Sequence, residues 1–350
     1  MGENIFNHTD IVDRLDNWSI NIRLDKRDTA ASIHQDIKNM IADYDISTLI
    51  TYFLLESRFY LMNKDPVHAA MSLADAKKYT DHFHDIHLHH LHIAEGIIFY
   101  DENRFQEALN CFEKAERYLD QLEDPAEIGE FHLRKAMTYF YLDITSLSVL
   151  HGERAAEAFR PHKTLEFLLA RTEMMQGLNF ADLHKYDRAE ACLQRALTSF
   201  KRLENHNFIT SSNLNLGVLY VKRNLPAVAI HYLEEALKGN QERIHLKILY
   251  LLADCYWKTN QTSKALKTYT EGFSISTKKD DTAKKWEFAM LHKKYEDKLN
   301  FESVWQEGID YFTKINDNYN VRRFSKELAE YYTESNQYEL ASRYYALALL

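Results

Sequence analysis

One interval recurs along this chain and constrains its fold more than any other feature. A small residue is followed twelve positions later by Ala or Ser at Gly96/Ala108, Ala136/Ser148, Gly177/Ala189, Gly217/Ala229, Ala253/Ala265 and Ala329/Ala341. Seven positions further stands another small residue: Ala115, Ala155, Ala196, Ala236, Gly272 and Ala348. A degenerate copy fits between the last two pairs, at His292 and Val304. Turns fall inside five of the intervals, at Glu102-Asn-Arg, Leu183-His-Lys, Arg223-Asn-Leu-Pro, Thr259-Asn-Gln and Ser335-Asn-Gln. Small residues at these points let two antiparallel helices, and then the next pair, approach closely. Core packing gives an occasional coincidence of this kind, not one fixed offset repeated six times. With only 9 Gly and 4 Pro in 350 residues, there is little room for hairpins or glycine loops, and the composition predicts an all-α protein.

The pattern resembles the tetratricopeptide repeat. Its copies are spaced about 36 to 41 residues apart, longer than the usual interval. About seven of them imply an α-solenoid whose concave face is lined mainly by the first helix of each pair. The first segment does not fit the frame. It predicts three helices: one through Ile11, Leu15, Trp18 and Ile22 with Thr9-Asp10 as its cap, one through Ala31, Ile33, Ile37, Met40 and Ile41, and one over Leu49–Met62 capped by Asp45 or Ser47. Asp65 and Pro66 carry helix-start chemistry. The expected organisation is a three-helix bundle over 1–64, a linker helix over 65–83 and the repeat domain over 84–350.

Several function classes are disfavoured. A net charge of −9 argues against binding nucleic acid through its phosphates. No apolar run is long enough to span a bilayer and no signal peptide is present, so a cytosolic protein is expected. Cys111, Cys192 and Cys255 lie far apart inside helical patterns and read as small buried residues. There is no phosphate loop, no G-x-S-x-G and no H-E-x-x-H, so no nucleophile or catalytic residue is singled out, and no cofactor is called for. The tract from His82 to His92 holds six histidines in eleven residues. Its i, i+3 pairs point in different directions, so it reads as a solvated face rather than a metal or pH-sensing site. Asp101-Glu102, Glu234-Glu235 and Asp280-Asp281 read as turns or solvated faces.

In a repeat groove, peptide backbones need groups that both donate and accept, and Asn does both. The frame puts groove positions two before the small anchor, one or two after it, and about five after it. Asn215 lies two before Gly217; Asn179 and Asp182 lie two and five after Gly177. Tyr141, Leu178, Val218 and Lys222 are their neighbours on the lining.

The bundle followed by long repeats resembles the Rap proteins of bacilli. The residues carrying the likeness are Asn17-Trp18-Ser-Ile-Asn-Ile22-Arg23, Leu54-Leu-Glu-Ser-Arg58, Lys135-Ala-Met-Thr-Tyr-Phe-Tyr141, Asn179-Phe-Ala-Asp182, Asn213-Leu-Asn215-Leu-Gly217 and Leu328-Ala-Glu-Tyr-Tyr332. The resemblance implies a quorum-sensing regulator. Its bundle binds a response regulator or another DNA-binding transcription regulator, and a short re-imported Phr-type peptide in the groove switches it off. The family's N-F-x-D and N-x-G motifs, which hold the peptide, match Asn179, Asp182 and Asn215. The family's catalytic glutamine sits in a turn that here reads Ala42-Asp43-Tyr44-Asp45. A phenol lacks the paired carbonyl and amide of a glutamine, so the resemblance implies a binding-type member without phosphatase activity. The alternatives are an active aspartyl-phosphate phosphatase, an anti-repressor acting on a phage or plasmid repressor, and a plain repeat scaffold. Ending inside its last repeat helix at Ala346–Leu350, the chain is also expected to be weakly capped there or to pair with a second copy.

Overall fold

A computed structural model describes residues 3–41, 44–239, 241–297 and 300–349, with side chains described from residue 10 onward. Every regular element among them is helical. The chain forms two compact units, residues 1–205 and 206–350.

The first unit holds α1 (Glu3–Arg23), α2 (Arg27–Lys38), α3 (Ile46–Met62), α4 (Pro66–Lys77), α5 (Asp85–Asp101), α6 (Phe105–Glu116), α7 (Pro125–Tyr141), α8 (Thr145–Phe159), α9 (Glu166–Asp182) and α10 (Tyr186–Arg202). The second holds α11 (His206–Lys222), α12 (Pro226–Leu237), α13 (Glu242–Lys258), α14 (Thr262–Lys278), α15 (Thr282–Glu296), α16 (Phe301–Lys314), α17 (Asn318–Glu334) and α18 (Tyr338–Ala348). From α5 onward the helices pair as the twelve-residue interval requires. The anchors Ala108, Ser148, Ala189, Ala229 and Ala265 are all 0% exposed. At Gly177 a Cβ would lie 2.6 Å from Leu193 Cγ, and at Gly217 it would lie 2.6 Å from Leu233. Glycine is what lets those two helix pairs close.

The turns explain how so many helices are joined with so few glycines. Asn103, His184, Asn224, Asn260 and Asn336 all have φ between 56° and 60°. Asn and His tolerate this left-handed region better than most residues. Each closes its helix as a C-terminal motif: Asn103 N–H donates to Tyr100 O at 3.0 Å, and Arg104 N–H to Phe99 O at 2.9 Å.

In the first unit Ile11, Leu15, Trp18 and Ile22 of α1 are buried against Ala30 and Ile37 of α2 and Tyr52, Leu55 and Phe59 of α3. Each such large apolar side chain contributes about 1.5–3 kcal/mol by burial. α3 also presents Ile50 and Leu54 to Leu73 and Ala76 of α4 and to Leu91 and Ala94 of α5. One helix thus serves both the bundle core and the start of the repeats. The expected bundle and linker helix lie in one compact unit with the first three helix pairs.

Asp45 and Asp65 cap α3 and α4, accepting from Thr48 N and His68 N at 3.1 Å each. Thr9-Asp10 is not a cap: α1 already begins at Glu3, and Asp10 lies inside it, paired with Arg14 at 3.1 Å. α2 ends at Lys38, so Met40 and Ile41 lie beyond it, although Ile41 still reaches the bundle core.

Candidate functional site

The groove residues expected from the sequence fall on first helices of the pairs. In the first unit, Leu178, Asn179 and Asp182 share α9. Asn179 and Asp182 are three apart, so they lie on one side of the helix. Asp182, the last residue of α9, is exposed and Leu178 is half-buried. Asn179 is 0% exposed, against the expectation of an open lining residue. Its Nδ2 donates to Gln176 Oε1 at 3.2 Å, and Gln176 Nε2 in turn donates to Val149 O at 3.0 Å. Its Oδ1 is buried and accepts no hydrogen bond. Leaving such an acceptor unmet costs about 1–3 kcal/mol. Tyr141, at the end of α7, is 53% exposed; it stacks on Phe105 (4.7 Å, 7°) and meets Tyr100 edge-on at 5.7 Å.

In the second unit, Asn215, Val218 and Lys222 stand at i, i+3 and i+7 on α11, again one face. Asn215 and Val218 are half-buried and Lys222 is exposed.

Sequence reasoning gave no role to a charged cluster in the first unit. Arg23 of α1 reaches Asp124 at 2.6 Å and Glu127 of α7 at 3.0 Å, while its Nη2 also donates to Ser19 Oγ at 2.7 Å. Arg58 of α3 donates to Glu130 Oε2 of α7 at 2.5 Å, and Arg134 approaches the other oxygen at 3.4 Å. Burial pushes the Glu130 carboxyl pKa up, but Arg58, Arg134 and Arg23 outweigh it and hold the group well below the usual range. Glu127 is raised by burial, with Arg23 and Arg58 opposing. Two helices of the bundle are therefore fastened to the second repeat by buried ion pairs. The available signal was an arginine on an apolar helix face, Arg23 after Trp18 and Ile22 and Arg58 after Leu54.

A second network lies inside the bundle. Glu56 accepts from His34 Nε2 at 2.9 Å, Tyr52 OH at 2.6 Å and Ser72 Oγ at 2.9 Å. Trp18 stacks on His34 at 5.2 Å. Burial pushes the Glu56 pKa up, but these donors, His34 first, hold it below its ordinary value.

The histidine tract is not a solvated face. His87 and His89 are buried. His87 accepts from the backbone of His84 at the start of α5, and His89 Nδ1 meets Ala115 O at 2.9 Å. His90 lies 3.7 Å from Glu127, and His92 pairs with Glu95 at 3.0 Å. A row of polar letters hides which of them face inward. No group of three or more potential metal ligands converges among the described residues.

All three cysteines are buried. No described helix is long and apolar enough to cross a membrane. Tyr44 is half-buried against the bundle core; Ala42 and Asp43, its neighbours in the turn, lie outside the described residues.

Family models described as tetratricopeptide repeat match residues 168–242 and 214–272. Regulatory protein RapG of Bacillus subtilis (strain 168) is 24% identical, over 97% of this chain and 95% of its own length. Response regulator aspartate phosphatase H of the same organism is 24% identical, over 91% and 87%. A solved structure of Rap protein complexed with competence and sporulation factor superposes with a TM-score of 0.80 at 20% identity, covering 97% of each chain. NprR in complex with its cognate peptide NprX gives 0.69 at 18% identity, covering 97% of this chain and 98% of NprR. Both solved structures share this chain's helical architecture along nearly its whole length.

Proposed function

The chain is a divergent member of the Rap family, and from that premise we propose that it is a cytosolic, peptide-responsive regulator that sequesters a transcription regulator. The bundle α1–α3 binds the partner, a response regulator or another DNA-binding regulator. A short signalling peptide is held in the first unit by Asn179 and Asp182, with Tyr141 and Leu178; in the second unit, Asn215 and Val218 give α11 a lining of the same kind. The observation that carries this reading is the buried Asn179 Oδ1, an acceptor without a donor one turn from the exposed Asp182. Rotating out of its contact with Gln176, the Asn179 amide would offer a donor and an acceptor to a peptide backbone. A structure of similar length, NprR solved in complex with its cognate peptide, supports a peptide as the ligand class.

Peptide and partner are coupled by linkage: the peptide releases the partner only if it favours the partner-free state, by about 1–3 kcal/mol or more. The test is binding of each ligand to Asn179→Ala and Asp182→Ala, in which peptide affinity falls and partner affinity holds.

Phosphatase activity is the second reading, favoured by the relative named for it. Loss of radiolabel from a phosphorylated response regulator well above the spontaneous rate would establish it. Retention of label supports a binding-type member, the reading that Tyr44 favours.

A further inference from the structure

A cavity of about 210 Å³ lies in the first unit, where the second helices α8 and α10 flank α9. Glu173, Gln176 and Phe180 of α9 line it from one face of that helix, at i, i+3 and i+7. Leu178 and Asp182 stand about half a turn round the same helix, so this cavity is not the candidate groove. Gln176 is 6% exposed. Gly152 of α8 makes room for it, since a Cβ there would lie 2.6 Å from Gln176 Cδ. The Gln176 amide gives one hydrogen to Val149 O and accepts one from Asn179, which leaves its second hydrogen and second lone pair unused.

Charges of both signs complete the wall. Arg195 is committed: its Nε donates to Glu173 at 2.7 Å and its Nη2 meets Cys192 Sγ at 3.3 Å. The Arg188 guanidinium is held over the Phe180 ring, 4.1 Å from its centre. Arg160, Arg188, Glu153 and Glu157 all line the cavity, and none forms an ion pair among the described residues. A ligand with negative charge alone would meet Glu153 and Glu157 unpaired; one with positive charge alone would meet Arg160 and Arg188. A zwitterion answers both sets. The volume, below the about 300 Å³ at which pockets for drug-sized ligands begin, keeps the ligand small. We propose that this cavity binds a free α-amino acid. Arg188 takes the carboxylate, which its planar fork suits; Glu157 takes the ammonium; Gln176 and Phe180 receive the side chain. The site stands apart from the peptide reading and does not depend on it.

The test is equilibrium dialysis of the full-length protein against a mixture of the standard α-amino acids, with retained species read by mass spectrometry. Any amino acid retained is then offered as its amide and as its N-acetyl derivative, and to Arg188→Gln and Glu157→Gln, both changes at exposed positions. The expected result is retention of one or a few amino acids, at least tenfold weaker for both derivatives and in both variants. Equal retention of the N-acetyl derivative shows a site for a plain anion, and equal retention of the amide a site for a plain cation; either overturns the zwitterion assignment. Retention unchanged in Arg188→Gln or in Glu157→Gln, or no amino acid retained, overturns the proposal as well.

Discussion

Arg58 of α3 donates to Glu130 of α7 at 2.5 Å, and both side chains are more than nine-tenths buried. They lie 72 residues apart in sequence. Breaking one side of a buried pair leaves the other charge without compensation, which costs about 3–5 kcal/mol. Arg58→Met should therefore lower the urea midpoint strongly. Arg58→Met with Glu130→Met removes both charges and should recover much of the loss. A double variant no more stable than the single one would show that Glu130 does not depend on Arg58.

Glu56 gathers three donors from three helices, His34 of α2, Tyr52 of α3 and Ser72 of α4. Glu56→Ala removes the shared acceptor, although Ser72 Oγ keeps His68 O at 3.1 Å and His34 Nε2 stays 3.2 Å from Tyr52 OH. With about one buried group left unmet, the loss should be about 1–3 kcal/mol. Glu56→Gln, which keeps an acceptor oxygen, should cost less. Equal urea midpoints for the two variants would mean that the network contributes little.

His132 Nδ1 and His151 Nδ1 lie 3.0 Å apart, so one ring must accept from the other and cannot be protonated at that atom. Burial lowers both pKa values to about 4, aided by Arg154 at His132 and Lys135 at His151. Because the folded values lie below the unfolded one, the unfolded state binds protons first as the pH falls. The stability they permit is fully present above about pH 6.5 and is lost as pH drops from there through 4. Urea midpoints should fall across that window, and His132→Asn should flatten the slope. An unchanged slope would show that other groups carry the pH dependence.

At Gly177 helix propensity and packing pull in opposite directions. Alanine gains up to about 1 kcal/mol of propensity. Its Cβ, however, would stand 2.6 Å from Leu193 Cγ and 3.2 Å from Ala189 O, a backbone atom. Overpacking of this kind costs about 1–3 kcal/mol. The melting temperature of Gly177→Ala should fall, and Leu193→Ala added to it should cost less than Leu193→Ala alone. A stabilised Gly177→Ala would show that the helix pair has room to spare.

The fold was legible because its rule is local and periodic. The twelve-residue interval placed Gly177 against the second helix of its pair, and the turns at Asn103, His184 and Asn260, without reference to distant contacts. The bundle was legible through the helical spacing of Ile11, Leu15, Trp18 and Ile22. What was not legible depended on partners far off in sequence. Arg58 cannot announce Glu130, and His87 and His89 look solvated until their helix is packed. Asn179 shows the same limit at the candidate site. The frame led to the expectation of an open groove position, but its burial follows from Gln176 and Val149, which the frame does not rank.

A short peptide held by Asp182 and Asn179 is the central claim. Its most direct measurement is retention of a synthetic pool of random pentapeptides with free C-termini, read by mass spectrometry, by the wild-type protein and by Asp182→Ala and Asn179→Ala. Retention at least tenfold lower in both variants, with unchanged melting temperatures, is the predicted result. Equal retention by all three proteins would contradict the claim.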